Sequence, residues 1–137
     1  MKPVVLAVSV ALALGLAGCS KEEKEAAKVV SFKNDVAPIL KNNCLACHKP
    51  GGEGHIKSGL MMSTPENPDE ISYENLMKGT KFGPIIVPGD PTGSTLNMLV
   101  EGRADPSLRM PHGSKTGLPE QDIKTLHEWV AQGAKNN

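Results

Sequence analysis

From residue 31 onward the apolar positions recur at helical spacing, in short runs separated by stretches rich in Gly and Pro. Phe32, Val36, Ile39 and Leu40 fall at i, i+4, i+7 and i+8, which is one face of a helix. Ser31 is suited to cap its start, because a serine hydroxyl can accept a hydrogen bond from a free amide of the first turn. Pro38 interrupts the run and would cost about 3 kcal/mol in a helix interior. The sequence therefore predicts a kink there, or a restart with Pro38 in a first turn.

Two further short helices follow. "DEISYENLMKG" predicts one from about Glu70 to Lys78, closed by Gly79. "STLNMLVEG" predicts another, capped by Ser94, with Leu96, Leu99 and Val100 inward and Gly102 at its end. The last helix has the clearest pattern. Pro119 suits the first helical position, and Ile123, Leu126, Val130 and Ala134 keep the apolar spacing with Trp129 flanking the stripe. Glu120 and Asp122 lie in its first turn, where the helix dipole favours acids. "KPGGEGHIKSG" and "IIVPGDPTG" read as loops from their Gly and Pro content. The whole pattern is that of an all-α domain.

The chain ahead of this domain is different. "MKPVVLAVSVALALGLAG" has one early cation and then an apolar run ending in small residues, the anatomy of a signal peptide over residues 1–18. It ends in "LAGC", which resembles the lipobox of bacterial lipoproteins. That resemblance implies a lipid on Cys19, which becomes the mature N-terminus and anchors the protein to a membrane. Ordinary cleavage with a free Cys19 thiol is the alternative. "SKEEKEAAKVV" is charged, mixed in sign and free of aromatics, so residues 19–30 form a lipidated cysteine and a solvated tether. Its eleven residues reach at most about 36 Å when extended.

Residues 31–137 make one domain. The 15 cationic and 15 acidic residues of the chain balance, which gives nucleic-acid binding no electrostatic support. Only four aromatics occur, Phe32, Tyr73, Phe82 and Trp129, against 14 Gly and 11 Pro. So few large side chains make a thin core. Either the domain is poorly stable or something other than side chains fills its middle.

The chemistry is concentrated in "CLACH", residues 44–48. A structural zinc site usually needs two pairs of Cys or His ligands. No second pair accompanies this one, since His55, His112 and His127 lack the spacing. A redox dithiol belongs at a strand-to-helix junction in a βαβ pattern, whereas the residues before Cys44 are helical and no strand series follows. C-x-x-C-H is the signature of covalent haem attachment. Two intervening residues let both sulfurs form thioethers on one porphyrin edge, and the adjacent histidine reaches iron. A porphyrin would also supply the apolar bulk the sequence lacks.

With these pieces in place the chain resembles a small class I cytochrome c domain of the kind exported by bacteria. "FKNDVAPILKNNCLACH", "GLMMS", "GPIIVPGDPTGSTL", "RMPHG" and "LPEQDIKTLHEWVAQGA" follow the family's order and cover nearly all of residues 31–134. The resemblance implies first and last helices that cross around one haem c held by Cys44 and Cys47. His48 would be the proximal iron ligand and Met110, before Pro111, the distal one. His112 and His55 remain alternatives to Met110. Met61 and Met62 lie near a loop, Met77 and Met98 are read as packing, and His127 as a partly buried structural histidine. A family-like Gly83-Pro84 pair makes the Pro84 carbonyl the expected partner of the second His48 nitrogen.

The function so implied is single-electron transfer between periplasmic or membrane redox proteins, without catalysis. Outer-membrane placement is slightly favoured by Ser20 after the lipidated cysteine. A haem sensor or small haem enzyme, such as a peroxidase or gas-binding domain with a labile sixth ligand, is the alternative. Lys41, Lys49, Lys57, Lys78 and Lys81 are candidates for a weak docking patch, against the plainer reading of a solvated face.

Overall fold

A computed structural model describes residues 28–137. The signal peptide, Cys19 and most of the tether lie outside the described residues. Among those described the fold is all-helical, and the single extended pairing is one antiparallel bridge between Thr80 and Gly83. The main helices are α1 (Ala37–Asn43), α2 (Leu45–His48), α3 (Glu53–Ser58), α4 (Tyr73–Lys78), α5 (Thr95–Val100) and α6 (Glu120–Ala131).

The N-terminal apolar run divides at its proline. Ser31 caps as expected, its hydroxyl accepting from the Asn34 amide, and residues Phe32–Val36 form a wide π-helical turn. α1 then starts with Pro38 in its first turn. Proline is tolerated there because the first amides of a helix have no intrahelical acceptor.

Three helices depart from the sequence reading. α4 starts at Tyr73 and not near Glu70, because Ser72 takes the cap position and accepts from the Asn75 amide. The Ser72 amide donates to the Met62 carbonyl at 2.7 Å, which keeps the preceding backbone extended. In α5 it is Asn97, not Leu99, that is fully buried beside Leu96 and Val100. α6 begins one residue later than expected, with Pro119 as its extended cap.

α3 was not expected at all in a Gly-rich stretch. Six residues with a glycine inside would not hold a helix alone. Here Gly59 closes it in the left-handed region, at φ 79°, with its amide on the His55 carbonyl. The Lys57–Glu53 pair at 2.6 Å spans one turn.

The core joins the two ends of the domain. Phe32 meets Tyr73 edge-on at 5.1 Å between ring centres and Trp129 at 5.5 Å. Trp129 is fully buried rather than flanking, and its indole N–H donates to the Lys135 carbonyl. Tyr73 uses its hydroxyl on the Ala134 carbonyl at 2.7 Å. Backbone and side-chain bonds then staple the start to the end: Lys33 N–H to Asn137 O, Val30 N–H to Gln132 Oε1, and Phe32 N–H to Asn137 Oδ1. Three of the four aromatics thus form one cluster where α6 packs on the N-terminal turn.

Trp129→Ala should therefore lower stability by about 3–5 kcal/mol, the usual cost of removing a buried large aromatic. Urea unfolding followed by far-ultraviolet circular dichroism measures it, and a loss below 1 kcal/mol would contradict this account of the core.

Candidate functional site

A single helical turn sets the spacing of Cys44, Cys47 and His48. The Cys44 amide completes α1 on the Leu40 carbonyl at 2.9 Å, and the Cys44 carbonyl accepts from the Cys47 and His48 amides at 3.2 and 3.1 Å. Cys44 is half-buried against the apolar core, Cys47 is exposed, and the two thiols are unlinked. His48 is buried. Among the described residues no three His, Cys, Asp or Glu side chains converge on a point to hold a metal ion.

The environment of His48 comes from two neighbouring segments. Its carbonyl accepts from the Met62 amide at 2.7 Å, which lays residues 60–62 alongside α2. Its Nδ1 faces the Leu60 carbonyl at 3.3 Å. The Leu60 amide is in turn held by Ser58 Oγ at 3.1 Å. The partner of His48 is thus Leu60 and not Pro84, as the Gly-Pro pair had implied. Pro84 is exposed and its Cα approaches Gly79. The Met62–His48 bond brings the Leu60 carbonyl in from the other loop.

On another side the imidazole lies against Gly54 of α3. A Cβ at that position would stand 2.6 Å from Cε1 and 2.8 Å from Nδ1 of His48. Leu60 and Gly54 are the site residues that sequence reasoning missed. A backbone carbonyl carries no residue-type signal. A glycine inside a helix does carry one, because it costs about 1 kcal/mol against alanine and so calls for a packing reason.

Burial holds the His48 pKa below the ordinary imidazole value, and the charges of His112 and His55 add to this, while the Leu60 carbonyl acts in the opposite direction. The ring is therefore neutral at pH 7. With its proton on the nitrogen that faces Leu60, Nε2 keeps a free lone pair, the arrangement a metal-binding histidine requires. Cys44 is shifted the other way. Burial, with a smaller contribution from Cys47, raises its pKa to about 11. Cys44 is therefore a protonated thiol at neutral pH while it carries no substituent.

Met110 is half-buried and packs against the core. Its amide donates to the Leu99 carbonyl at 3.2 Å, which docks its loop on the end of α5. His112, exposed in the same loop, is near enough for its charge to act on both His48 and Glu53. Met62 is buried in the core, while Met61, Met77 and Met98 are half-buried. His127 is exposed, not partly buried, because Glu101 draws its Nδ1 outward to 2.9 Å at the surface. A cleft of about 320 Å³ bordered by Phe32, Thr64, Ile71 and Tyr73 includes none of Cys44, Cys47, His48 and Met110.

Two buried polar side chains lack partners among the described residues. They are Ser63 at Oγ, one residue beyond Met62, and Asn97 at both amide atoms. Each such group costs about 1–3 kcal/mol while unsatisfied.

Comparisons with protein-family models, with curated proteins and with solved structures returned no match.

Two outcomes follow for the chain with both thiols free. Gly54→Ala should cost about 1–3 kcal/mol, as overpacking does, because a buried ring must move; an unchanged urea midpoint would refute the contact. Cys44 should contribute stability that is complete below pH 9 and is lost as pH rises from 9 toward 11, because the folded state holds this proton more tightly than the unfolded chain. Urea midpoints across pH 8–11, compared with Cys44→Ser, check the sign.

Proposed function

We propose that the protein is a mono-haem c-type cytochrome of the class I type, which carries single electrons between protein partners at a bacterial membrane. The observation that carries this reading is the C-x-x-C-H turn, with a buried histidine whose Nδ1 faces a backbone carbonyl. Cys44 and Cys47 lie one helical turn apart, and one is already against the apolar core. They would hold haem c through two thioethers. The group's chemistry would be reversible one-electron exchange at iron.

The chain's own residues would do the rest. His48 is neutral and oriented by Leu60, so it can ligate without releasing a proton from the ligating nitrogen. Gly54 leaves room beside the imidazole. Met110 is the proposed second residue to hold the iron, and its thioether would raise the potential above that of a bis-histidine site. The orphan atoms of Ser63 and Asn97 suit a group with polar edges in an apolar body. Cys19, through a lipid, would place the domain on the periplasmic side of the membrane, slightly favouring an outer membrane, with the tether between them.

The visible spectrum of protein produced with a haem-attachment system tests the assignment. Haem should stay with the polypeptide through acid–acetone extraction, and Cys44→Ala or Cys47→Ala should leave a single thioether with a red-shifted reduced α-band. The oxidised protein should show a far-red methionine–iron band that Met110→Ala abolishes. Survival of that band would transfer the ligand role elsewhere, with His112 and His55 next to be tested. Refusal of carbon monoxide by the reduced wild type fits a carrier, and ready binding would favour a sensor or enzyme.

A further inference from the structure

Two glycines stand on the CLACH turn for reasons of space alone. Gly52 has φ −68° and Gly54 has no left-handed φ, so other side chains could adopt the same backbone. A Cβ on Gly52 would collide with the Cys47 carbonyl oxygen. A Cβ on Gly54 would stand 2.6 Å from Cε1, 2.8 Å from Nδ1 and 2.9 Å from Nε2 of His48. Those three atoms are one continuous edge of the imidazole. α3 therefore lies against the part of the ring that carries both nitrogens, and a larger residue at position 54 would displace it.

The Leu60 carbonyl meets the same edge, 3.3 Å from Nδ1. Two separate pieces of backbone thus limit how the ring turns about its Cβ–Cγ bond. One side chain joins them. The Ser58 hydroxyl donates to the Gly54 carbonyl at 2.6 Å and accepts from the Leu60 amide at 3.1 Å. The two bonds do not compete, because a hydroxyl has one hydrogen to give and lone pairs to spare.

A serine that bonds back to the carbonyl four residues earlier is common in helices and by itself means little. Here the same oxygen also holds the Leu60 amide, and both residues that it holds border His48. The Ser58 backbone is fixed as well, since its carbonyl accepts from the Lys81 amide at 2.9 Å.

We infer that Ser58 is a positioning residue for His48. Its hydroxyl keeps Gly54 and the Leu60 carbonyl in register, and so sets the plane of the imidazole and the strength of its Nδ1–H bond. This inference rests on the haem reading and adds to it the side chain that tunes the histidine. The direction of tuning follows from charge. A histidine that donates from Nδ1 to a carbonyl is more basic at Nε2, and a more basic ligand favours ferric over ferrous iron. Without the Ser58 hydroxyl the Leu60 carbonyl loosens, and the balance moves toward ferrous iron.

The test uses the covalent holoprotein in the variants Ser58→Ala, Ser58→Thr and Gly54→Ala. Thr125→Ala is the control, because Thr125 makes the same kind of bond within α6, to the Gln121 carbonyl at 2.9 Å. Electron paramagnetic resonance of the ferric protein reads the imidazole plane through its g values. Equilibration with a one-electron mediator reads the ferrous-to-ferric ratio. Ser58→Ala should move the g values and raise that ratio about threefold, the scale on which one neutral hydrogen bond acts. Ser58→Thr keeps the hydroxyl and should restore both readings, and Thr125→Ala should leave both at wild-type values. Gly54→Ala should move the g values, because its methyl group presses on the ring.

Wild-type g values and an unchanged ratio in Ser58→Ala would overturn the inference even if the urea midpoint falls, since Ser58 would then hold the fold and not the ring. So would a Ser58→Thr protein that matches Ser58→Ala. If Ser58→Ala does not fold, the Gly54→Ala holoprotein decides, and wild-type g values there overturn the inference. A wild-type protein without covalent haem, seen in its absorption spectrum before any variant is compared, would overturn the proposed function and this inference with it.

Discussion

The pairing of the CLACH turn with residues 60–62 is the contact on which the site depends. One backbone hydrogen bond, Met62 N–H to His48 O at 2.7 Å, fixes the end of α2 against a segment with no regular structure. From it follow the Leu60 carbonyl opposite Nδ1, the burial of Met62 and the position of Ser63. The same segment continues the constraint outward, since the Met62 carbonyl accepts from Ser72 at 2.7 Å and delays the start of α4. A short helix bearing two cysteines and a histidine would otherwise have too few hydrogen bonds to hold its shape.

The core works at a distance from this contact. Phe32, Tyr73 and Trp129 gather where the chain's beginning and end meet, and the bonds from residues 30–33 to Gln132 and Asn137 close that junction. The aromatic mass therefore stiffens the frame, whereas the site is lined by small groups and backbone: Gly54, Ser58, Leu60 and the edge of Cys44. Such a division suits the proposed function. An electron carrier gains from rigid positioning around a metal ligand, and a large group added covalently needs space that big side chains would fill.

Much of the scaffold was legible from periodicity. The N-terminal helical face, its break at Pro38, the Gly79 stop and the apolar stripe of α6 all rest on local rules. Those rules concern steric fit and hydrogen bonding within a few residues. α3 exists because Gly59 and its neighbours hold it, not because its sequence favours a helix. Asn97 is buried although it is polar, and His127 is exposed because Glu101 lies across from it. The first depends on the residue next in sequence, and the last on a contact 26 residues away.

The amino-acid sequence by itself determined the all-helical class, the spacing of Cys44, Cys47 and His48, and the chemistry those residue types can perform. Side-chain identity and separations of three or four residues suffice for that. Tertiary structure decided which carbonyl faces His48, that Gly54 borders its ring, and that the Ser58 hydroxyl joins the two. A carbonyl is the same at every residue, so its role comes only from where folding brings it. Leu60 rather than Pro84 faces His48 because a backbone pairing twelve or more residues along the chain places it there, a distance over which local pattern carries no register.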